Sequence, residues 1–204
     1  MDQNGPRRRN AQATRDDILA SARAAFARSG YDGAGLREIA EGAGVTAMMI
    51  GRYFGSKENL FAEAVAAAMS ETELLGSNIL SSPDMARDMA AALVRITAPE
   101  APILEGFEIA LRSAASNTAA SLSREHIEAQ KLKRLVDGLQ GEDREGRAAL
   151  LIALVAGLQT MRQVIGLTPL AKADPEQLTD LLASVLEPLL QPKPKSIPAP
   201  LAPL

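Results

Sequence analysis

The sequence predicts an all-α fold, and three observations carry that prediction. Alanine and leucine dominate the 204 residues while β-branched residues are sparse, no stretch alternates with period two, and helix-start signals recur along the chain. The first start is Thr14-Arg15-Asp16-Asp17, a hydroxyl with an acid three residues later, as in a capping box. It opens a helix expected over about 15–29 that stops at Gly30. The apolar stripe of that helix is Ile18, Leu19, Ala22, Ala25 and Phe26.

Residues 36–60, LREIAEGAGVTAMMIGRYFGSKENL, hold two short helices and the start of a long one. Leu36, Ile39 and Ala40 line a helix that begins near Gly35, and Ala40 is small where a second helix could cross. Gly42-Ala43-Gly44 breaks it and turns the chain. Val45 is expected to be buried, and Thr46 to supply a cap oxygen for a second helix through about Tyr53. Ile50 and Phe54 face back toward the first. Ser56 then caps a helix over about 57–76, whose N-terminus with Lys57 suits a phosphate.

Further on, Ser82-Pro83 and Asp174-Pro175 each pair a cap oxygen with proline at a first helical position, and Gln177 completes a box with Asp174. The helix over about 143–166 is apolar on all sides from Ala148 to Leu158, so every side must be covered. The last helix, Pro175 to about Leu190, repeats leucine and valine at i, i+3, i+4 and i+7. Two adjacent apolar helices readily form a four-helix bundle with a second copy, against the plainer reading of a monomer core. Leu151, Val155, Leu158, Leu178, Leu182, Val185 and Leu189 are the expected dimer interface. The tail PKPKSIPAPLAPL, 192–204, reads as disordered.

Composition narrows the function. With no cysteine and one histidine, His126, thiol chemistry, zinc ribbons and a histidine-rich zinc site are excluded. Glu105, Glu108, Glu125 and Glu128 lack the Glu-x-x-His spacing of a di-metal bundle, and no G-x-S-x-G, P-loop or dinucleotide fingerprint occurs. The reading is therefore no enzyme and no cofactor. The start has arginines but no apolar run behind them, and Ala148–Leu158 spans only about 16 Å, too short for a bilayer. A soluble cytoplasmic protein without a membrane partner is expected. The net charge of −3 is uneven: residues 1–60 carry +2 and residues 61–204 carry −5, which points the N-terminal end toward an anion.

Helix, glycine turn and second helix together make the helix-turn-helix plan, in which the second helix enters a DNA major groove. The order of ARSGYDG, LREIAEGAGV, a short helix and RYFGSKENLF, over about residues 14–62, resembles the TetR family of transcriptional repressors. The resemblance implies an N-terminal three-helix DNA-binding domain at 14–56 after a flexible basic arm at 1–13. It also implies a helical ligand-binding and dimerisation domain at 57–191. By that resemblance Thr46, Ala47, Met48, Gly51, Arg52 and Tyr53 face a double-stranded DNA operator, with Lys57 on its backbone. Arg52 is the candidate guanine reader and Arg37 a phosphate contact. One of Met48 and Met49 faces DNA while the other packs inside.

The sequence departs from the family pattern in two places. Gly51 stands where a phosphate-touching tyrosine is usual, and Ala34 and Gly35 stand where a threonine or serine would complete a box with Glu38. Arg7, Arg8 and Arg9 either lie along DNA or form a solvated tail. The resemblance further implies a small apolar effector in the second domain, lined by Met85, Met89, Leu93, Phe107, Leu111, Met161 and Val164. Methionines at helical spacing are as readily ordinary core. Arg112 and His126 are that domain's polar candidates, with His126 read as part of a solvated helix face. The alternative to a repressor is a ligand-binding or interaction dimer on the same scaffold that does not bind DNA.

Overall fold

The computed structural model describes residues 5–70, 79 and 82–191, with side chains from residue 11 onward. Among them there is no strand. The helices in chain order are α1 (Gly5–Gly33), α2 (Leu36–Gly42), α3 (Ala47–Phe54), α4 (Lys57–Ser70), α5 (Met85–Ile96), α6 (Glu105–Ser113) and α7 (Asn117–His126). After a π-helical stretch at Ile127–Leu132 come α8 (Lys133–Gly138) and α9 (Arg144–Gln159). A second π-helical stretch, Thr160–Val164, precedes α10 (Thr168–Ala171) and α11 (Pro175–Leu190). The chain forms two compact units, one of residues 1–73 and 102–133, the other of 74–101 and 134–204. This division differs from the expected boundary after residue 56, because α4 and α6 pack with α1, and α7 packs on α4 and α6. The proline-rich tail, the first four residues and the expected end of α4 at 71–76 lie outside the described residues.

The N-terminal unit closes around rings. Phe61 meets Phe26 edge-on at 5.0 Å and Tyr31 at 5.1 Å, the geometry that sets a ring's positive edge against a negative face. Ile18, Ile39, Ile50 and Leu60 are fully buried beside them. Helix α1 begins well before Thr14, so the box at Thr14–Asp17 starts nothing, and residues 5–13, expected as a flexible arm, have helical backbone. Gly30 breaks the helix as expected, at φ 67°. A Cβ there would stand 2.5 Å from the Arg112 carbonyl oxygen, so both the backbone and the space call for glycine.

The C-terminal unit has aliphatic side chains in its core. Helix α11 lies along α5, burying Met89, Leu93, Leu178, Leu182 and Leu186. Asp174 caps α11 as expected, its carboxylate accepting from the N–H groups of Glu176 at 3.1 Å and Gln177 at 3.0 Å. Helix α5 is different: Asp84, not Ser82, holds the cap position, and its carboxylate accepts from the Arg87 N–H. Ser82 instead accepts from the Asp84 N–H, so proline there belongs to the turn before the helix.

The expected dimer residues divide. Leu151, Leu158, Leu178 and Leu182 are buried within the protomer, which corrects their assignment to an outer face. The helices have two apolar sides, and spacing alone could not say which one the protomer keeps. Val155 and Leu189 are half-buried. Val185 is exposed, with Leu150, Met161, Val164, Ile165, Leu167 and Leu181.

Candidate nucleic-acid interface and C-terminal cleft

Helices α2 and α3 form the expected pair. Gly35 stands before α2 with extended backbone (φ −87°, ψ 140°) and no side-chain cap. Part of the lost box survives: the Glu38 carboxylate pairs with Arg28 and accepts from the Gly35 N–H, and these, Arg28 first, hold its pKa below the usual carboxylate value. Ser21 in α1 donates to the Ile39 carbonyl at 2.8 Å, and a Cβ at Gly42 would collide with that hydroxyl. The turn glycine therefore lets α1 approach closely.

On α3, Ile50 and Phe54 face inward, and the outer side is open. Thr46, Ala47, Gly51 and Arg52 are exposed, and Tyr53 is half-buried. Met48 is 85% exposed while Met49 is half-buried, which separates the two methionines that spacing left equivalent. Thr46 holds the cap position, but its hydroxyl makes no cap bond, so it stays available to an outside acceptor. Val45 is half-buried rather than buried. Arg37 on α2 is exposed. Around Gly35 and Gly51 an added Cβ would meet nothing, so neither glycine is required by packing.

The start of α4 joins this face to the ring core. Ser56 accepts from the Asn59 N–H at 3.2 Å, the expected cap. The Lys57 ammonium sits 4.7 Å above the Tyr31 ring, and the Tyr31 hydroxyl donates to Glu58 at 2.9 Å. Burial, then Glu58, pushes the Tyr31 phenol up to about 12. Glu58 is held below the usual carboxylate range by its own N–H, then by Ser56 and Tyr31. The end of α6 and the turn after it grip the same corner. Ser113 accepts from the Tyr31 N–H at 3.0 Å, and Ser116 donates to Asp32 at 3.2 Å. The sequence offered no sign of this corner, because its partners lie about eighty residues apart. Arg15 is committed internally, pairing with Glu63 and lying 4.8 Å above the Phe54 ring.

The expected effector lining does not assemble in the C-terminal unit. Met89 and Leu93 are core, Met85 is half-buried, and Met161 and Val164 are exposed. Phe107 and Leu111 belong to the N-terminal unit, the first half-buried and the second exposed. None of the seven lines the open cleft of about 720 Å³ in the C-terminal unit. That cleft is lined by Arg87, Val94, Arg95, Glu100, Arg162, Lys172 and Glu176 among others. Arg112 is exposed and pairs with Glu108. His126 is half-buried at the end of α7, not on a solvated face, and burial, then Lys131, holds its pKa below the ordinary imidazole value. No described helix is long and apolar enough to cross a membrane.

An outward-facing second helix in a helix-turn-helix, followed by a larger helical region, defines the class of helix-turn-helix transcriptional regulators. Comparison with known proteins makes this specific. The model for bacterial regulatory proteins of the tetR family matches residues 18–64, and that for the tetracyclin repressor-like C-terminal domain matches residues 81–190, more than half of the chain. The chain belongs to the TetR family, whose members are DNA-binding transcriptional regulators and not enzymes.

Over 61 residues it is 44% identical to the HTH-type transcriptional repressor AcnR of Corynebacterium glutamicum. That match spans 28% of this chain and 32% of the relative. A solved transcriptional regulator from Rhodococcus sp. Rha1 is 27% identical with a TM-score of 0.60, over 87% of this chain and 96% of that one. A TetR-family regulator from Streptomyces coelicolor A3 shares the fold at 24% identity and a TM-score of 0.56, over 88% and 95% of the two chains.

Proposed function

We propose that the chain is a cytoplasmic, homodimeric transcriptional repressor that leaves a near-palindromic operator when a small-molecule effector binds its C-terminal region. The observation that carries the reading is the outer side of α3, where Thr46, Ala47, Met48 and Arg52 are exposed on a helix anchored from behind by Ile50 and Phe54. In this reading Arg52 pairs with guanine through O6 and N7, and Met48 lies against a thymine methyl. Arg37 and Lys57 take phosphates, Lys57 at a helix N-terminus. The repressor AcnR, matched over the N-terminal stretch, favours repression over activation.

The dimer in this reading forms through the exposed apolar sides of α9 and α11, around Leu150, Leu181 and Val185. Two copies would then present their α3 helices to half-sites roughly 34 Å apart or a multiple of that. The effector releases DNA only as far as it prefers a conformation that fits the operator poorly. Helix α4 serves as the link, with Lys57 at the DNA end. The second reading, a dimer that binds no DNA, draws on Gly51, which offers no phenol to a phosphate and has open space around it.

Selection of bound sequences from a random duplex pool tests the proposal. A palindromic winner bound about 10³-fold tighter than random DNA, with affinity falling steeply in salt, is the expected result. No enrichment from a confirmed dimer would overturn it in favour of the second reading.

A further inference from the structure

The C-terminal cleft contains an unusual cation. Arg162 is only 3% exposed, yet none of the ion pairs among the described residues includes it. Its partners are neutral: Nε donates to the Leu170 carbonyl at 3.1 Å, and Nη1 donates to the Val94 carbonyl at 2.6 Å and the Thr97 hydroxyl at 3.1 Å. Those three bonds fix the guanidinium plane and leave Nη2 without a bond, in a side chain that lines the cleft. Carbonyl dipoles solvate the charge without neutralising it, and burial lowers its pKa against the opposing pull of Glu100.

The other unpaired charges of the lining balance, so its net positive charge is that of Arg162. Arg87 is already paired with Asp180, which leaves Arg95 and Lys172 beside Arg162, against Glu100 and Glu176. The remaining wall is largely alanine, with a valine and prolines. The volume falls within the range of small-molecule sites, roughly 300–1,000 Å³. A π-helical stretch at Thr160–Val164 carries Arg162 into this position, and such interruptions of a helix recur at functional sites.

We propose that this cleft binds a small amphipathic carboxylic acid, with a carboxylate oxygen accepting from Arg162 Nη2 and the carbon body resting on the alanine and proline wall. A fixed guanidinium in a partly desolvated cleft gives a charge-assisted bond that a neutral isostere cannot make. The inference deepens the effector reading above, and rests on it only for making this ligand the effector. It also changes the expected chemistry, since a purely apolar molecule would leave the guanidinium unanswered.

The test titrates the full-length chain by calorimetry with butanoate, hexanoate and benzoate, each against its matched alcohol. At least one acid is expected to bind about tenfold or more tightly than its alcohol. Arg162→Met is expected to abolish that preference. Because it also removes the bonds to two carbonyls and the Thr97 hydroxyl, the exposed pair Arg95→Gln with Lys172→Gln serves as a second variant. That variant should fold as the parent does and weaken the acid by about threefold or more while leaving the alcohol unchanged. Equal binding of acid and alcohol in all three pairs, or no binding of any acid, overturns the site, as does an acid preference that survives in a folded Arg162→Met protein. An unchanged preference in the rim variant overturns it too if Arg162→Met does not fold. Acid binding that leaves affinity for the selected duplex unchanged supports the site and overturns only its role as the effector site. Failure of duplex selection with intact acid preference overturns the repressor reading and not the site.

Discussion

The two units of this chain are stabilised by different means. All six aromatic residues, Phe26, Tyr31, Tyr53, Phe54, Phe61 and Phe107, belong to the N-terminal unit, and three of them form its interlocked centre. The C-terminal unit has none. It buries two arginines instead, Arg147 at 7% exposure and Arg162 at 3%, both hydrogen-bonded chiefly to main-chain carbonyls. Among the described residues it also carries seven of the nine large apolar side chains that remain exposed, among them Ile165 and Leu181. Among its described residues the N-terminal unit thus satisfies its own apolar surface, apart from Met48 on the face proposed to meet DNA and Leu111. The C-terminal unit has surfaces suited to a second copy and a cation suited to a ligand.

The contrast can be broken at the ring cluster first. Phe61→Ala should cost about 3–5 kcal/mol of unfolding free energy in urea, because it removes the ring that both neighbours contact. A loss below about 1 kcal/mol would mean the cluster is not the centre of the unit. On the other unit, Leu181→Glu combined with Val185→Glu should weaken self-association by about 100-fold or more in sedimentation equilibrium while helical circular dichroism stays unchanged. Unfolding of the double variant would mean that this side is core after all.

Tyr31 sharpens the comparison through pH. Its folded pKa of about 12 lies above the ordinary 10.0, so the folded state holds the phenolic proton more tightly. The stabilisation, about 2–3 kcal/mol, is complete below pH 10 and is lost as the pH rises through about 12. In a Tyr53→Phe protein, ultraviolet titration should place the remaining phenolate midpoint near 12; a midpoint near 10 would contradict the buried assignment. The smallest expected effect is at the surface. Arg28→Ala should destabilise by under about 1 kcal/mol, because both members of the Arg28–Glu38 pair are well exposed.

What could be read from the sequence follows the same division. The helix-turn-helix was legible because its signals are local: Gly30 breaks α1, Gly42-Ala43-Gly44 turns the chain, and Ser56 caps α4 within three residues. The Tyr31 corner was not legible, because Ser113 and Ser116 reach it from about eighty residues away. In the C-terminal unit, periodicity found the helices but not their outer faces. Leu178 and Leu181 occupy equivalent places in the pattern, yet one is buried and the other 66% exposed. Arg162 sits among Gln159, Thr160 and Gln163 with nothing nearby to mark it as buried, since its partners come from α5, the turn after α5, and α10.

The most direct test of the account is an anisotropy titration of the selected duplex with the parent chain and with Arg52→Ala, across several salt concentrations. Arg52 is exposed on α3 and its truncation leaves the core untouched. The account predicts a loss of about tenfold or more in affinity and a relaxed base preference at one position in each half-site. Unchanged affinity and unchanged preference would contradict it, and would mean that the outer side of α3 does not read DNA.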